Sequence, residues 1–106
     1  MTNHEQQSFR ALADPTRRNI LCLLAKQEMT IAEVADNFQM TRAAVKKHLT
    51  VLNEGDLITI RTEGRTKVNA LNAQGIKRVV DWLSYFDAFW DENLAALKSE
   101  IEKDIQ

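Results

Sequence analysis

Arg42, Lys46 and Lys47 share one short stretch of this chain with the small residues Ala43 and Thr50. At 100° per residue, Val45, Leu49 and Leu52 fall within a narrow arc of that stretch. Ala43, Lys46, Lys47 and Thr50 occupy the opposite arc, Arg42 lies near the exposed N-terminal end, and no acidic residue follows until Glu54. Such a face suits a polyanion groove: small residues permit close approach, and long cations reach phosphates or guanine edges. The reading gives Arg42, Ala43 and Lys46 to base edges and places Thr41 and Lys47 nearer the backbone, with Thr50 beside them. A second basic group, Arg61, Arg65 and Lys67, surrounds Glu63-Gly64 and is suited to an adjacent phosphate or minor groove. In isolation, a solvated helix face and a guarded strand edge explain the same charges. The neighbouring elements decide between these readings.

Other chemistry has little material. The chain holds two His and one Cys, and no Ser/His/Asp, Cys/His or carboxylate pair has supporting spacing. Catalysis, cofactors and metal are therefore not expected. Cys22, inside LCLL, reads as a small core residue, and without a second Cys a thiolate metal sensor is excluded. A lone cysteine also forms no internal disulfide, which fits a reducing cytoplasm. His48, on the shoulder of the core arc, reads as a structural histidine bonded to backbone or a neighbour.

The elements that position these residues are clearly punctuated. A first helix through Ser8 to Leu12 offers Phe9 and Leu12. Asp14-Pro15 then starts a second, over about residues 15–27, with Ile20, Leu21, Leu23 and Leu24 inward. Thr30 and Glu33 form a capping box for a third, short helix that turns Ile31, Val34, Ala35 and Phe38 inward. After only Gln39 and Met40, Thr41 caps a fourth that ends near Glu54, with Gly55 as its C′ residue. Two helices across so tight a turn have helix-turn-helix layout, here residues 30–54. Residues 57–71 read as a β-hairpin with a basic tip turning at Glu63-Gly64. Asn72 caps a last helix over 73–104. The expected fold is mainly α with a small β-hairpin: one winged helix-turn-helix domain, 1–106, in the order α-α-α-α-β-β-α.

The chain has 106 residues, 44% of them hydrophobic and 27% charged, close to the globular average. No apolar run approaches the roughly 18 residues that span a bilayer, and MTNHEQQSFR has no secretory pattern, so no membrane role is expected. The formal net charge of −1 hides a split, with a basic excess before residue 81 and an acidic excess after it. A basic body binds a polyanion while an acidic end meets something else.

That acidic end is also apolar along one side. Leu83, Phe86, Trp90, Leu94, Leu97 and Ile101 recur at nearly heptad spacing, and Trp82, Tyr85 and Phe89 add a second stripe. A small body seldom buries so wide a surface, so the first and last helices are expected to build a homodimer core, with Phe9 joining Leu83, Phe86, Trp90, Leu94 and Leu97. The competing reading lines an apolar ligand pocket with Trp82, Phe86, Phe89 and Trp90.

FRALADPTRRNILCLL, AAVKKHLTVLNEGDLI and ITIRTEGRTKVNAL resemble the ArsR-type winged-helix transcriptional regulators from about Phe9 to Leu71. The final segment is similar to a subgroup that lacks metal sites and has an aromatic-rich terminal helix. The resemblance implies a dimeric DNA-binding repressor, often acting on its own operon and reading a pseudo-palindrome in double-stranded DNA. The chain departs from metal-sensing members: TIAEVADNF has no Cys and the terminal helix no His. Arg42 and Lys46 stand where many members have Gln and Ser, so an operator does not transfer. The alternative in another class is a winged-helix protein-interaction module, and an effector is not identified by the residues.

Overall fold

The computed structural model describes residues 3–105, with side chains for 5–87, 92, 93 and 95–103. Helices α1 (Asn3–Leu12) and α2 (Pro15–Lys26) come first, followed by the two-residue strand β1 (Met29–Thr30). Next are α3 (Ile31–Phe38), α4 (Arg42–Glu54), the hairpin strands β2 (Ile58–Glu63) and β3 (Thr66–Leu71), then α5 (Ala73–Ser84) and α6 (Asp87–Ile105). The sheet is antiparallel in the order β1-β3-β2, with Thr30 and Arg61 both opposite Val68.

The expected caps form. Asp14 accepts the Arg17 N–H at 2.9 Å, and that backbone hydrogen bond holds its carboxyl below the usual range. Thr30 and Glu33 close the capping box, while Thr41 accepts the Ala44 N–H at 3.1 Å. Arg17 and Arg18 have a role the sequence did not disclose. Arg17 donates to the carbonyls of Arg10 and Ala11 and Arg18 to that of Leu12, satisfying the open end of α1.

Ile20, Val34, Val45, Leu52 and Leu57 form the centre of the core, each fully buried. Ala11 and Ser8, rather than Phe9 and Leu12, are the residues α1 buries most deeply; the Ser8 hydroxyl donates to the Gly55 carbonyl at 2.6 Å. Asn69 is also buried, and its amide donates to the Met29 carbonyl, tying β3 to β1. Cys22 corrects one expectation. It is exposed, because LCLL lies on a helix, where Leu21 and Leu24 share the inward face and Cys22 points away from it.

The end of α4 is built differently from the expected glycine cap. Gly55 has φ −80°, and the left-handed residue is Asp56 at φ 61°. Gly55 is small for another reason: a Cβ there would lie 2.8 Å from the Gln7 carbonyl oxygen of α1. Asn72 precedes α5 without a side-chain cap, since its amide donates to the Asp56 carbonyl at 3.0 Å. The hairpin turns on Gly64 and Arg65, one residue later than expected, with Gly64 at φ 60°.

The expected single helix over 73–104 is broken. Tyr85 and Phe86 donate to Trp82 and Leu83, three residues back, closing α5 in one tight turn. The Ser84 hydroxyl back-bonds to Val80, and Asp87 supplies an acid to the first turn of a new helix, where the dipole favours it. Every described side chain of α6 is exposed. The Cα radius of gyration is 18.2 Å, against about 13 Å for a compact chain of this length.

Candidate nucleic-acid interface

The turn between α3 and α4 brings the cationic face into place. Gln39 takes a left-handed conformation at φ 53°, Met40 donates back to Ala35 at 3.3 Å, and Thr41 starts α4 at once. Val45, Leu49 and Leu52 are buried, which turns Arg42, Ala43, Lys46, Lys47 and Thr50 outward as the helical wheel requires.

Two hollows flank that outward face. One, of about 690 Å³, lies between α4 and the hairpin and gathers Arg42, Ala43 and Lys46 with Arg65 and Lys67. The start of α3 forms its far wall at Ile31 and Ala32. The other, of about 610 Å³, lies between α4 and α1 and joins Lys46, Lys47 and Thr50 to Arg10. Lys46 borders both. Arg10 was not expected here, because nothing local in MTNHEQQSFR shows that α1 packs along α4. Two threonines serve the scaffold: Thr41 is the cap, and the Thr50 hydroxyl donates to the Lys46 carbonyl at 2.8 Å.

Arg61 stands apart from the other sequence-selected cations. It sits mid-strand rather than at the tip, and its guanidinium grips both oxygens of Glu28 at 2.5 and 2.6 Å. Glu63 accepts a further bond at 2.9 Å. The shared hydrogen bonds push the Glu28 carboxyl below its usual range and the Arg61 guanidinium above its own. With its fork occupied, Arg61 braces the hairpin against the chain before β1. Replacing it with alanine is therefore expected to leave the salt dependence of DNA binding unchanged. Arg65→Ala should lower the slope of log K against log salt by about 0.9 per site. A drop of that size for Arg61→Ala in an anisotropy titration would return it to the DNA contacts.

His48 is structural, as expected. Its Nδ1 lies 3.4 Å from Arg17 Nη1 and 4.0 Å from the Asp14 carboxylate, linking α4 to the α1–α2 junction. Among the described residues, no group of His, Cys, Asp and Glu is placed to hold a metal ion, and no helix is long and apolar enough to cross a membrane.

Of the residues selected for a dimer, Phe9 and Phe86 pack edge-to-face on either side of Trp82, with ring centres 5.1 Å apart in each pair. Leu83 and Leu97 are half exposed. The side chains of Trp90 and Leu94, like that of Phe89, lie outside the described residues. The break at Tyr85–Phe86 means these positions do not share one continuous helical seam.

Residues 14–59 match the family described as bacterial regulatory protein, arsR family. The chain is 30% identical over 86 residues to the transcriptional repressor SdpR of Bacillus subtilis (strain 168), covering 81% of this chain and 96% of that protein. The chain belongs to the ArsR family. The crystal structure of another ArsR family transcriptional regulator superposes with a TM-score of 0.75 at 30% identity, over 84% of this chain and 98% of that one. A homodimeric winged helix-turn-helix DNA-binding domain from Mycobacterium bovis shares the fold, with a TM-score of 0.67 at 24% identity over 80% and 82% of the two chains. This ArsR-family chain is thus a transcriptional regulator built on a winged helix-turn-helix fold.

Proposed function

We propose that the protein is a homodimeric repressor that binds a pseudo-palindromic operator through α4, with the wing and α1 holding the flanking phosphates. The observation that carries this reading is the pair of cationic hollows on either side of α4. A helix lying in the major groove has a phosphate ridge on each side, and both hollows present cations there. Arg42, Ala43 and Lys46 face the bases, while Arg65, Lys67, Lys47 and Arg10 face the backbone. Two such helices related by a two-fold axis would read half-sites about one helical turn apart, or a multiple of it. The protein acts in the cytoplasm by occupying a promoter, a role that needs no catalytic group. Selection of genomic fragments by the purified protein at about 150 mM salt, where nonspecific binding is weak, tests the reading directly. Enrichment of an inverted repeat near a promoter is the expected result; no enrichment from a folded dimer would overturn it.

The dimer interface in this reading uses Phe9 and Phe86, which flank Trp82, with the exposed Leu83 and the exposed α6. Leu97 is 54% exposed, so covering it in a dimer gains about 1 kcal/mol per copy. Symmetry doubles that term, and Leu97→Ala should raise the dimer dissociation constant about thirtyfold. Sedimentation equilibrium measures this; an unchanged constant would remove α6 from the interface.

A further inference from the structure

The guanidinium of Arg17 is half-buried where the end of α1, the start of α2 and the side of α4 converge. Its Nε donates to the Ala11 carbonyl at 2.8 Å and its Nη2 to the Arg10 carbonyl at 3.1 Å. Nη1 lies 3.4 Å from Nδ1 of His48 on α4; a guanidinium only donates, so the ring nitrogen is the acceptor. The root of the side chain is held too, since the Asp14 cap accepts the Arg17 N–H at 2.9 Å. A planar fork fixed at its root and on all three nitrogens sets the placement of α1 against α4. One of the two carbonyls it holds belongs to Arg10, which lines the hollow on the α1 side of α4 with Lys46 and Lys47. Arg10 is in the last turn of α1, where carbonyls have no partner within the helix.

We infer that Arg17 is a positioning residue for DNA binding: its nitrogens are taken by protein acceptors, and through them it holds Arg10 against the phosphate ridge beside α4. The inference rests on the function proposed above, in which Arg10 faces the backbone. Without Arg17 the Arg10 and Ala11 carbonyls lose this donor, the last turn of α1 frays, and the Arg10 contact is lost with it. Charge alone does not substitute. An ammonium is a point donor and cannot hold two carbonyls and a ring nitrogen in one plane.

A double-mutant cycle tests this, read by fluorescence anisotropy across a salt series with the full chain and the DNA fragment that selection recovers. Arg10→Ala removes one phosphate contact per protomer, about thirtyfold in a dimer's affinity near 0.15 M salt and about 2 in the slope of log K against log salt. Arg17→Ala, in protein whose circular dichroism matches the wild type, should lose as much in both quantities. The two together should lose no more than either alone. Lys67→Ala strips the opposite hollow, and its loss should be the same with or without Arg17. Arg17→Lys keeps the charge and should not restore affinity; it carries the same cycle if Arg17→Ala fails to fold. Additive losses, or affinity restored by Arg17→Lys, overturn the inference and make Arg17 a cation that DNA meets directly. Coupling to Lys67 as strong as that to Arg10 also overturns it, because the fold at large would then be what Arg17 supports. Wild-type affinity in Arg10→Ala would fail the assignment of Arg10 in the function proposed above, and this inference with it. A loss in Arg10→Ala with none in Arg17→Ala overturns the inference alone.

Discussion

Replacing Lys46 and Lys47 together with alanine should abolish specific DNA binding while the fold persists. Both side chains are exposed on the outer arc of α4, so the stability change should stay within about 0.5 kcal/mol. Lys46 borders both hollows and Lys47 the one shared with Arg10, so the double variant strips cations from both sides of the helix. On B-DNA each neutralised phosphate contributes about 0.9 to the slope of log K against log salt, equivalent to about fivefold in affinity near 0.15 M. A dimer loses two such contacts at Lys47, about thirtyfold in affinity and about 2 in slope, and two base contacts at Lys46, each worth about 1 kcal/mol or more, which brings the total to about a thousandfold. That deficit approaches the gap between specific and nonspecific binding. Fluorescence anisotropy across a salt series, with thermal melts of the same samples, measures both quantities. Wild-type affinity and slope in a folded double variant would remove α4 as the DNA-reading element.

How far the sequence carried depended on the range of each interaction. Caps and helical arcs are local: Asp14, Thr30, Glu33 and Thr41 each act within three residues, and all four behave as their types require. The outward placement of Arg42, Ala43, Lys46, Lys47 and Thr50 follows from the 3.6-residue period once Val45, Leu49 and Leu52 are committed to the core. The ion pair of Arg61 was not legible because its partner Glu28 is 33 residues away, and strand alternation reveals exposure but not ion pairing. Arg10 was missed because its contribution depends on packing between α1 and α4. At Ser84–Asp87 the apolar spacing ran on across the break, and the local signals of a serine back-bond and an N-terminal aspartate outweighed it. Apolar periodicity identifies a face; it does not guarantee one unbroken helix beneath it.

Gly75→Ala should be the most damaging of the three glycine-to-alanine substitutions. Gly75 is in the first turn of α5 and has no left-handed conformation to protect, so propensity alone predicts a gain of about 1 kcal/mol from alanine. Sterics oppose that gain. A Cβ on Gly75 would sit 1.7 Å from the Asp56 carbonyl oxygen and 2.9 Å from its carbon, both backbone atoms that no rotamer change can move. Asp56 is further held by the Asn72 amide and the Arg78 guanidinium, so α5 must shift away from the α4–β2 junction as a unit. Overpacking of this kind costs about 3 kcal/mol or more, which exceeds the propensity gain and leaves a net loss of about 2 kcal/mol. For a domain near 100 residues that lowers Tm by about 8–16 °C. Gly55→Ala offers the graded comparison, because its closest contact, at 2.8 Å from the Gln7 carbonyl oxygen, requires a smaller displacement of α1. Calorimetric melts of the two variants should therefore rank Gly75→Ala well below Gly55→Ala. A Gly75→Ala melt at or above the wild-type temperature would show that α5 does not pack on Asp56.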